Sequence, residues 1–221
     1  MAVFGGPDLE SDNLVFCLDV SNPKSYTGSN WNDVAGNRVG TLFNSPILTT
    51  NYLSFNGVDQ YVSFPSSIEV STGDGFTMNF LMRVPSTQLN GVNWCFMIAD
   101  RDFGAGDYEI GIYSTNTTTF IFKENGAAPQ AIVTPLGTNW NLLTFGQYSN
   151  SVPFIYLNGQ FVTQSSSTFA SATLDFTNIF RNANNTGYFK CDCSYINLYD
   201  KALSDEEIKQ TYHLLRGRFN L

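Results

Sequence analysis

The densest group of potential ligands in the sequence is an acidic, glycine-rich stretch, Asp100-Arg101-Asp102-Phe103-Gly104-Ala105-Gly106-Asp107-Tyr108. Carboxylates are hard oxygen donors, so Asp100, Asp102 and Asp107, helped by backbone carbonyls, have the chemistry to hold Ca2+. The stretch lacks the glycine position and terminal glutamate of an EF-hand loop. The alternative is a turn whose Asp side chains bond backbone amides. Calcium is thus the one cofactor the sequence allows, and none is required. The indole rings of Trp31, Trp94 and Trp140 could stack against pyranose rings. Apolar runs flank Trp94 and Trp140 and assign them to a core. Trp31 lies in the polar segment 26–36 and is the better platform, with Tyr108 as a second aromatic for a glycan contact. Asp19 and Asp33, just before that segment and within it, are placed to bind its backbone.

Catalytic constellations are thin. His213 is the one histidine, and it falls in a predicted helix, where a surface role is expected. There is no Gly-x-Ser-x-Gly elbow and no glycine-rich loop followed by Lys-Ser or Lys-Thr. Glycoside hydrolysis needs two carboxylates on one cleft. The nearest approach is Asp107 with Glu109, without the alternating acidic run that would put several on one strand face. A non-enzyme is therefore expected. Cys17, Cys95, Cys191 and Cys193 do not form the paired motifs of a zinc site. Buried thiols are the leading reading, with a disulfide or a metal site as alternatives. Cys191 and Cys193 share a face if their segment is a strand.

The elements that must position these residues read as strands. Short apolar or alternating runs are broken by Gly, Asn, Ser and Pro. They include Leu14 to Leu18, Tyr52 to Phe55, Tyr61 to Phe64, Phe76 to Phe80, Trp94 to Ile98, Tyr108 to Tyr113, Phe120 to Phe122, Ala131 to Val133, Trp140 to Tyr148, Phe154 to Leu157, Ile179-Phe180 and Tyr195 to Tyr199. Asn158-Gly159 predicts a two-residue type I′ hairpin, because both central positions need positive φ. Asn56-Gly57 is a hairpin-type signal in a longer loop. One helix is predicted over 204–216. Ser204 and Glu207 form a capping box, Asp205 and Glu206 sit in the first turn, Ile208, Tyr212 and Leu215 share a face, and Gly217 is placed to end it. The 221 residues, 43% hydrophobic and 15% aromatic, suit one large all-β sandwich. Residues 1–12 are expected as a polar arm and 13–221 as the domain. A net charge of -8 without basic clusters argues against nucleic acid. No run is long enough to span a membrane, and the first ten residues lack a signal peptide's pattern, so a protein made in the cytosol, or released by a route other than a signal peptide, is expected.

Longer motifs carry a family resemblance. Leu14-Val15-Phe16-Cys17-Leu18-Asp19, Asn22-Pro23-Lys24-Ser25-Tyr26, Trp31-Asn32-Asp33 and Gly36-Asn37 resemble the opening of laminin-G-like, concanavalin A-like domains of bacteriophage virion proteins. Leu53-Ser54-Phe55-Asn56-Gly57-Val58-Asp59-Gln60-Tyr61-Val62 is similar to that family's hairpin, and Phe76-Thr77-Met78-Asn79-Phe80 to its next strand. Trp140 with Phe154-Ile155-Tyr156-Leu157-Asn158-Gly159, and Tyr199-Asp200-Lys201-Ala202-Leu203-Ser204-Asp205-Glu206-Glu207-Ile208, resemble its last hairpin and its strand-to-helix signature. Ser194 and Tyr195 stand where many relatives carry an Asp-Glu pair.

The resemblance implies a two-sheet antiparallel jelly roll with one short C-terminal helix. It also implies a structural protein of the virion surface, a capsid decoration or a tail or fibre component. Such a protein would be a multicopy or homo-oligomeric chain, packed on other capsid or tail proteins and able to adhere to host-surface glycans. The first and last residues resemble the ends of single-domain phage structural proteins. A free lectin-type carbohydrate-binding module is the alternative, and a polysaccharide hydrolase or lyase the third reading. One sandwich hosts many functions, so the motifs speak for fold more than for activity.

Overall fold

The computed structural model describes residues 11–84, 94–99, 108–113, 120–124, 138–166, 168–169, 173–182 and 187–218. The strands in chain order are β1 (Leu14–Asp19), β2 (Asn30–Asn32), β3 (Val39–Phe43), β4 (Ile47–Leu48), β5 (Leu53–Asn56), β6 (Tyr61–Ser71), β7 (Phe76–Arg83) and β8 (Trp94–Ala99). They continue with β9 (Tyr108–Tyr113), β10 (Phe120–Glu124), β11 (Asn141–Gln147), β12 (Pro153–Leu157), β13 (Gln160–Gln164), β14 (Thr173–Ile179) and β15 (Lys190–Tyr199). The helix α1 (Asp205–Leu215) follows, and a 3-10 turn, Arg216–Arg218, extends it. The expected strand Ala131 to Val133 and the segment Met1 to Glu10 lie outside the described residues.

A large antiparallel sheet runs β13-β12-β11-β7-β15-β5-β4, with β1 also paired to β15. A second layer contains the sheet β14-β6-β3-β2 and the three strands β10-β9-β8. β8 lies beside β14, where the Phe180 N–H donates to the Met97 carbonyl at 2.8 Å. The inward side chains of the two layers form one core that includes Phe16, Phe55, Phe64, Phe76, Phe80, Phe145, Phe176 and Phe180. This is the all-β sandwich that the alternating runs predict.

β15 is the central strand, and it changes partners along its length. Lys190 to Cys193 pair with β5, and Tyr195 to Tyr199 pair with β1, while β7 lies along the opposite edge. Between the two halves Ser194 is an extra residue, a β-bulge opposite Leu81 and Met82 of β7. A bulge changes which side chains face inward. Cys191 and Cys193 belong to the inner core, and past the bulge so do Ile196 and Leu198. Tyr195, Asn197 and Tyr199 therefore point to the outer face. Ser194 is held by its Oγ, which donates to the Asn51 carbonyl at 2.7 Å, and its carbonyl accepts from the Val20 N–H at 3.0 Å.

Helix α1 covers that second half of the outer face. Ser204 and Glu207 form the reciprocal capping box that the sequence predicts. The Lys201 ammonium meets Glu207 at 2.9 Å. Burial alone would raise the Glu207 carboxyl, but the Ser204 hydrogen bonds and Lys201 outweigh it and hold it below its ordinary value. Ile208 and Leu215 bury beneath the helix and Tyr212 is half-buried, with Phe154, Tyr156 and Leu203 below. Gly217 does not end the helix. The chain tightens into the 3-10 turn, and Arg218 makes a two-pronged ion pair with Asp19 at 2.8 and 2.9 Å. Polar side chains trapped under the helix satisfy one another, as burial demands. Asn79 Nδ2 donates to Asn197 Oδ1 at 2.7 Å, Asn197 Nδ2 donates to the Tyr195 and Tyr199 hydroxyls at 2.9 and 3.1 Å, and the Thr144 hydroxyl donates to Asn79.

The two Asn-Gly signals have different outcomes. Asn158 (φ 53°) and Gly159 (φ 74°) make the expected tight turn between β12 and β13. Gly159 is also required by contact, because a Cβ there would stand 3.0 Å from Tyr212 Cβ. Asn56-Gly57 makes no hairpin. β5 belongs to the large sheet and β6 to the other layer, so this turn carries the chain across the sandwich. The Asn56 Oδ1 gathers the N–H groups of Val58, Asp59 and Gln60 to shape it.

All four cysteines are buried free thiols, as the leading reading expects, and the disulfide reading falls. Burial pushes Cys17 up to about 12 and Cys95 up to about 11, and it holds Cys191 and Cys193 well above the ordinary thiol value. A thiol raised in the folded state favours folding below its unfolded pKa, and that contribution is lost as the pH climbs toward the folded value. Stability against urea should therefore be flat near neutrality and fall steadily above about pH 9, the range where unfolded thiols ionise. Native protein at pH 8 should leave its thiols unlabelled by a thiol reagent until urea unfolds it. Rapid native labelling, or an unfolding midpoint unchanged up to pH 11, would contradict this burial.

Candidate functional site

The outer face of the large sheet is divided by the bulge. Past Ser194 it lies under α1. Before Ser194 it is open, and the strand registers fix what stands there. Ile47 of β4 pairs with Ser54 of β5, Ser54 with Asp192 of β15, and Asp192 with Arg83 of β7. Directly paired residues share a face, so Ile47, Ser54, Asp192 and Arg83 form one row across four strands. Lys190, two residues before Asp192, stands on the same face. Around Ser54, Arg83, Lys190 and Asp192, with Thr138 at the rim, is an open groove of about 430 Å3. That volume suits a small ligand.

The Arg83 side chain is held from several sides in the groove. Its Nε donates to Asp192 Oδ2 at 2.6 Å, and its Nη2 donates to the Tyr52 hydroxyl at 3.3 Å. The guanidinium carbon lies 5.3 Å from the centre of the Tyr52 ring and 5.5 Å from that of Trp140. These two rings meet edge to face with centroids 5.3 Å apart. Cation-π contact and the ion pair together hold the guanidinium in one orientation. It stays reachable from solvent: the Arg83 side chain is 41% exposed, against 18% for Asp192. Ile47, 66% exposed, gives the row an apolar end. The arrangement offers a fixed cation, a carboxylate, hydroxyls at Ser54 and Thr138, and apolar surface, which are the components for holding a polyhydroxylated ligand.

The sequence singled out none of these residues as a site: Ser54 stood within a family motif, Tyr52 opened a predicted strand and Trp140 was assigned to a core. Trp140 is half-buried against a small cluster with Leu81, Leu142 and Tyr195 and also supports Arg83. The signals were a charged residue closing the apolar strand Phe76 to Met82, and an aspartate between two inward cysteines. Only the pairing registers bring them together.

Trp31 is corrected. It is 0% exposed within the main core, so no ring face is offered to a sugar. The polar segment hides a three-residue strand, in which Trp31 pairs with Gly40 and points inward while Asn30 and Asn32 do not. Asp33 and Asp19 do bind the neighbouring backbone: Asp33 Oδ1 accepts from the N–H groups of Cys17, Ala35 and Gly36, and Asp19 Oδ1 from that of Ser21. Tyr108 opens β9, and its side chain lies outside what is described, as do Asp100, Asp102 and Asp107. Among the described residues no three His, Cys, Asp or Glu side chains gather as metal ligands. His213 is exposed on α1.

Residues 56–209 match the family described as the Concanavalin A-like lectin/glucanases superfamily. No curated protein matches this sequence. Among solved structures, Trypanosoma rangeli sialidase is similar with a TM-score of 0.70 at 18% identity, over 99% of this chain and 35% of that one. The binding domain of botulinum neurotoxin serotype D/C is similar with a TM-score of 0.64 at 16% identity, over 93% of this chain and 53% of that one. The binding domain of Paraclostridial Mosquitocidal Protein 1 gives 0.62 at 15% identity, over 91% and 52%. The chain thus spans about a third to a half of these structures, and at such identities the likeness is one of fold.

Replacing Trp31 by Ala should act as a core deletion. It should lower unfolding free energy by about 3–5 kcal/mol and leave ligand affinity of the folded protein unchanged, measured by urea denaturation beside a binding assay. A stable variant with weakened binding would restore Trp31 to a surface role.

Proposed function

Because the chain belongs to the concanavalin A-like lectin/glucanase superfamily, we propose that it is a non-enzymatic binding module that holds a saccharide in the groove of Ser54, Arg83, Lys190 and Asp192. The observation that carries this reading is the Arg83 guanidinium, fixed by Asp192, Tyr52 and Trp140 yet open to solvent beside hydroxyl groups. Asp192 is engaged as the partner of Arg83, which suits it to positioning and not to proton transfer. Hydrolysis of a glycosidic bond calls for two carboxylates set across the bond. Two of the similar structures are binding domains, of a botulinum neurotoxin and of a mosquitocidal protein, which supports a binding role for the fold.

The setting we propose is the one the sequence resemblance implies, a structural protein of a phage virion surface. As a capsid decoration or a tail or fibre component it would pack on other virion proteins and adhere to host-surface glycans. Many copies on one particle turn a weak single contact into firm attachment.

A bulky residue in the row should block the groove. On a glycan array the Ser54→Trp variant should lose binding at least tenfold, while Thr41→Trp, on the exposed face of the opposite sheet, should bind as the unmodified chain does. Equal binding by both variants, or a blank array for the unmodified chain at high concentration, would contradict the proposal.

A further inference from the structure

We infer that the ligand of this groove is an acidic saccharide, one that presents a carboxylate to Arg83; the inference rests on the saccharide-binding reading above. The guanidinium uses Nε for Asp192 and one Nη2 proton for Tyr52. Among the described residues Nη1 has no hydrogen-bond partner. Nη1 and one Nη2 proton thus remain unused by the described residues, on a side chain that is 41% exposed. Two such donors fit the two oxygens of a carboxylate, and the charge-assisted pair is about twice as strong as a neutral one. Asp192 engages Nε and does not occupy Nη1. Among the described residues its Oδ1 has no hydrogen-bond partner and is available to accept from a sugar hydroxyl.

Three further features agree. Lys190 brings a second positive charge to the same face in a chain whose net charge is -8, so an anion meets attraction here and repulsion over much of the remaining surface. Ser54 and Thr138 supply hydroxyls suited to ring hydroxyl groups. Tyr52 and Trp140 already fix Arg83, so little side-chain freedom is lost when the anion arrives. A neutral saccharide would leave the guanidinium edge without an anion and forgo the strongest contact the groove can make.

The test is calorimetric titration of the whole chain with tetramers of galacturonate and of mannuronate, and with the same tetramers after reduction of their carboxyl groups. At least one acidic tetramer should bind ten times or more tightly than its reduced counterpart. Added salt should narrow the difference, and Arg83→Gln should abolish it. Arg83→Lys, which keeps the charge and the stem but not the fork, should also lose most of the preference, and it serves if the glutamine variant melts early. Equal binding of acidic and reduced forms overturns the acid preference and leaves the saccharide-binding role standing. Failure of all four tetramers, with neutral glycans bound on the array, does the same. Failure of every glycan in both assays overturns both readings, and an acid preference unchanged by both Arg83 variants overturns the assignment to this groove.

Discussion

β15 holds one residue more than its partner β7 needs, and that residue, Ser194, sets what each half of the large sheet does. Before it, Cys191 and Cys193 face the core and Asp192 faces out. After it, Ile196 and Leu198 face the core and Tyr195, Asn197 and Tyr199 face out. Without the bulge the strict alternation of a strand would send Tyr195, Asn197 and Tyr199 into the sandwich. The same residue marks the exchange of β5 for β1 as neighbour. Which side chains of β15 enter the core, and which lie on the outer face beneath the helix, depends on this one irregularity.

The two halves of the outer face then differ in kind. The half beyond the bulge is closed by α1, and its polar side chains are paired among themselves through Asn79, Asn197, Thr144 and two tyrosines. An unpaired polar group there would cost about 1–3 kcal/mol, so the network's completeness matters for stability. The half before the bulge keeps its polar groups in contact with solvent. Arg83 is held by a carboxylate and two rings while its side chain stays 41% exposed. Polar side chains on one sheet thus serve packing at one end and stay exposed at the other, and the cover provided by the helix is what separates the two.

Much of the fold was legible in the sequence because it rests on local rules. The alternation in Phe76-Thr77-Met78-Asn79-Phe80, the positive-φ pair Asn158-Gly159 and the Ser204-Glu207 box each carry their structure within a few residues. What failed depended on distant partners. Asn56-Gly57 signals a turn, but whether that turn closes a hairpin or crosses the sandwich is decided by β15, more than a hundred residues on. Trp31 stands alone among polar residues and reads as a loop aromatic, because a three-residue strand has only one inward position. The groove was least legible of all. Ile47, Ser54, Arg83 and Asp192 come from four strands, and each has an ordinary reason to be where it is. The Ser194-Tyr195 departure was visible in the sequence, but its meaning as a bulge needed the registers.

The central claim is that the open half of the outer sheet face, and no loop, holds the ligand. A crystal structure of the chain with its best-binding oligosaccharide tests it most directly. The account predicts a sugar lying over Ser54 and Asp192 with an anionic or hydroxyl oxygen against the Arg83 guanidinium. A sugar bound instead at the acidic stretch Asp100 to Tyr108, with Arg83 untouched, would contradict it.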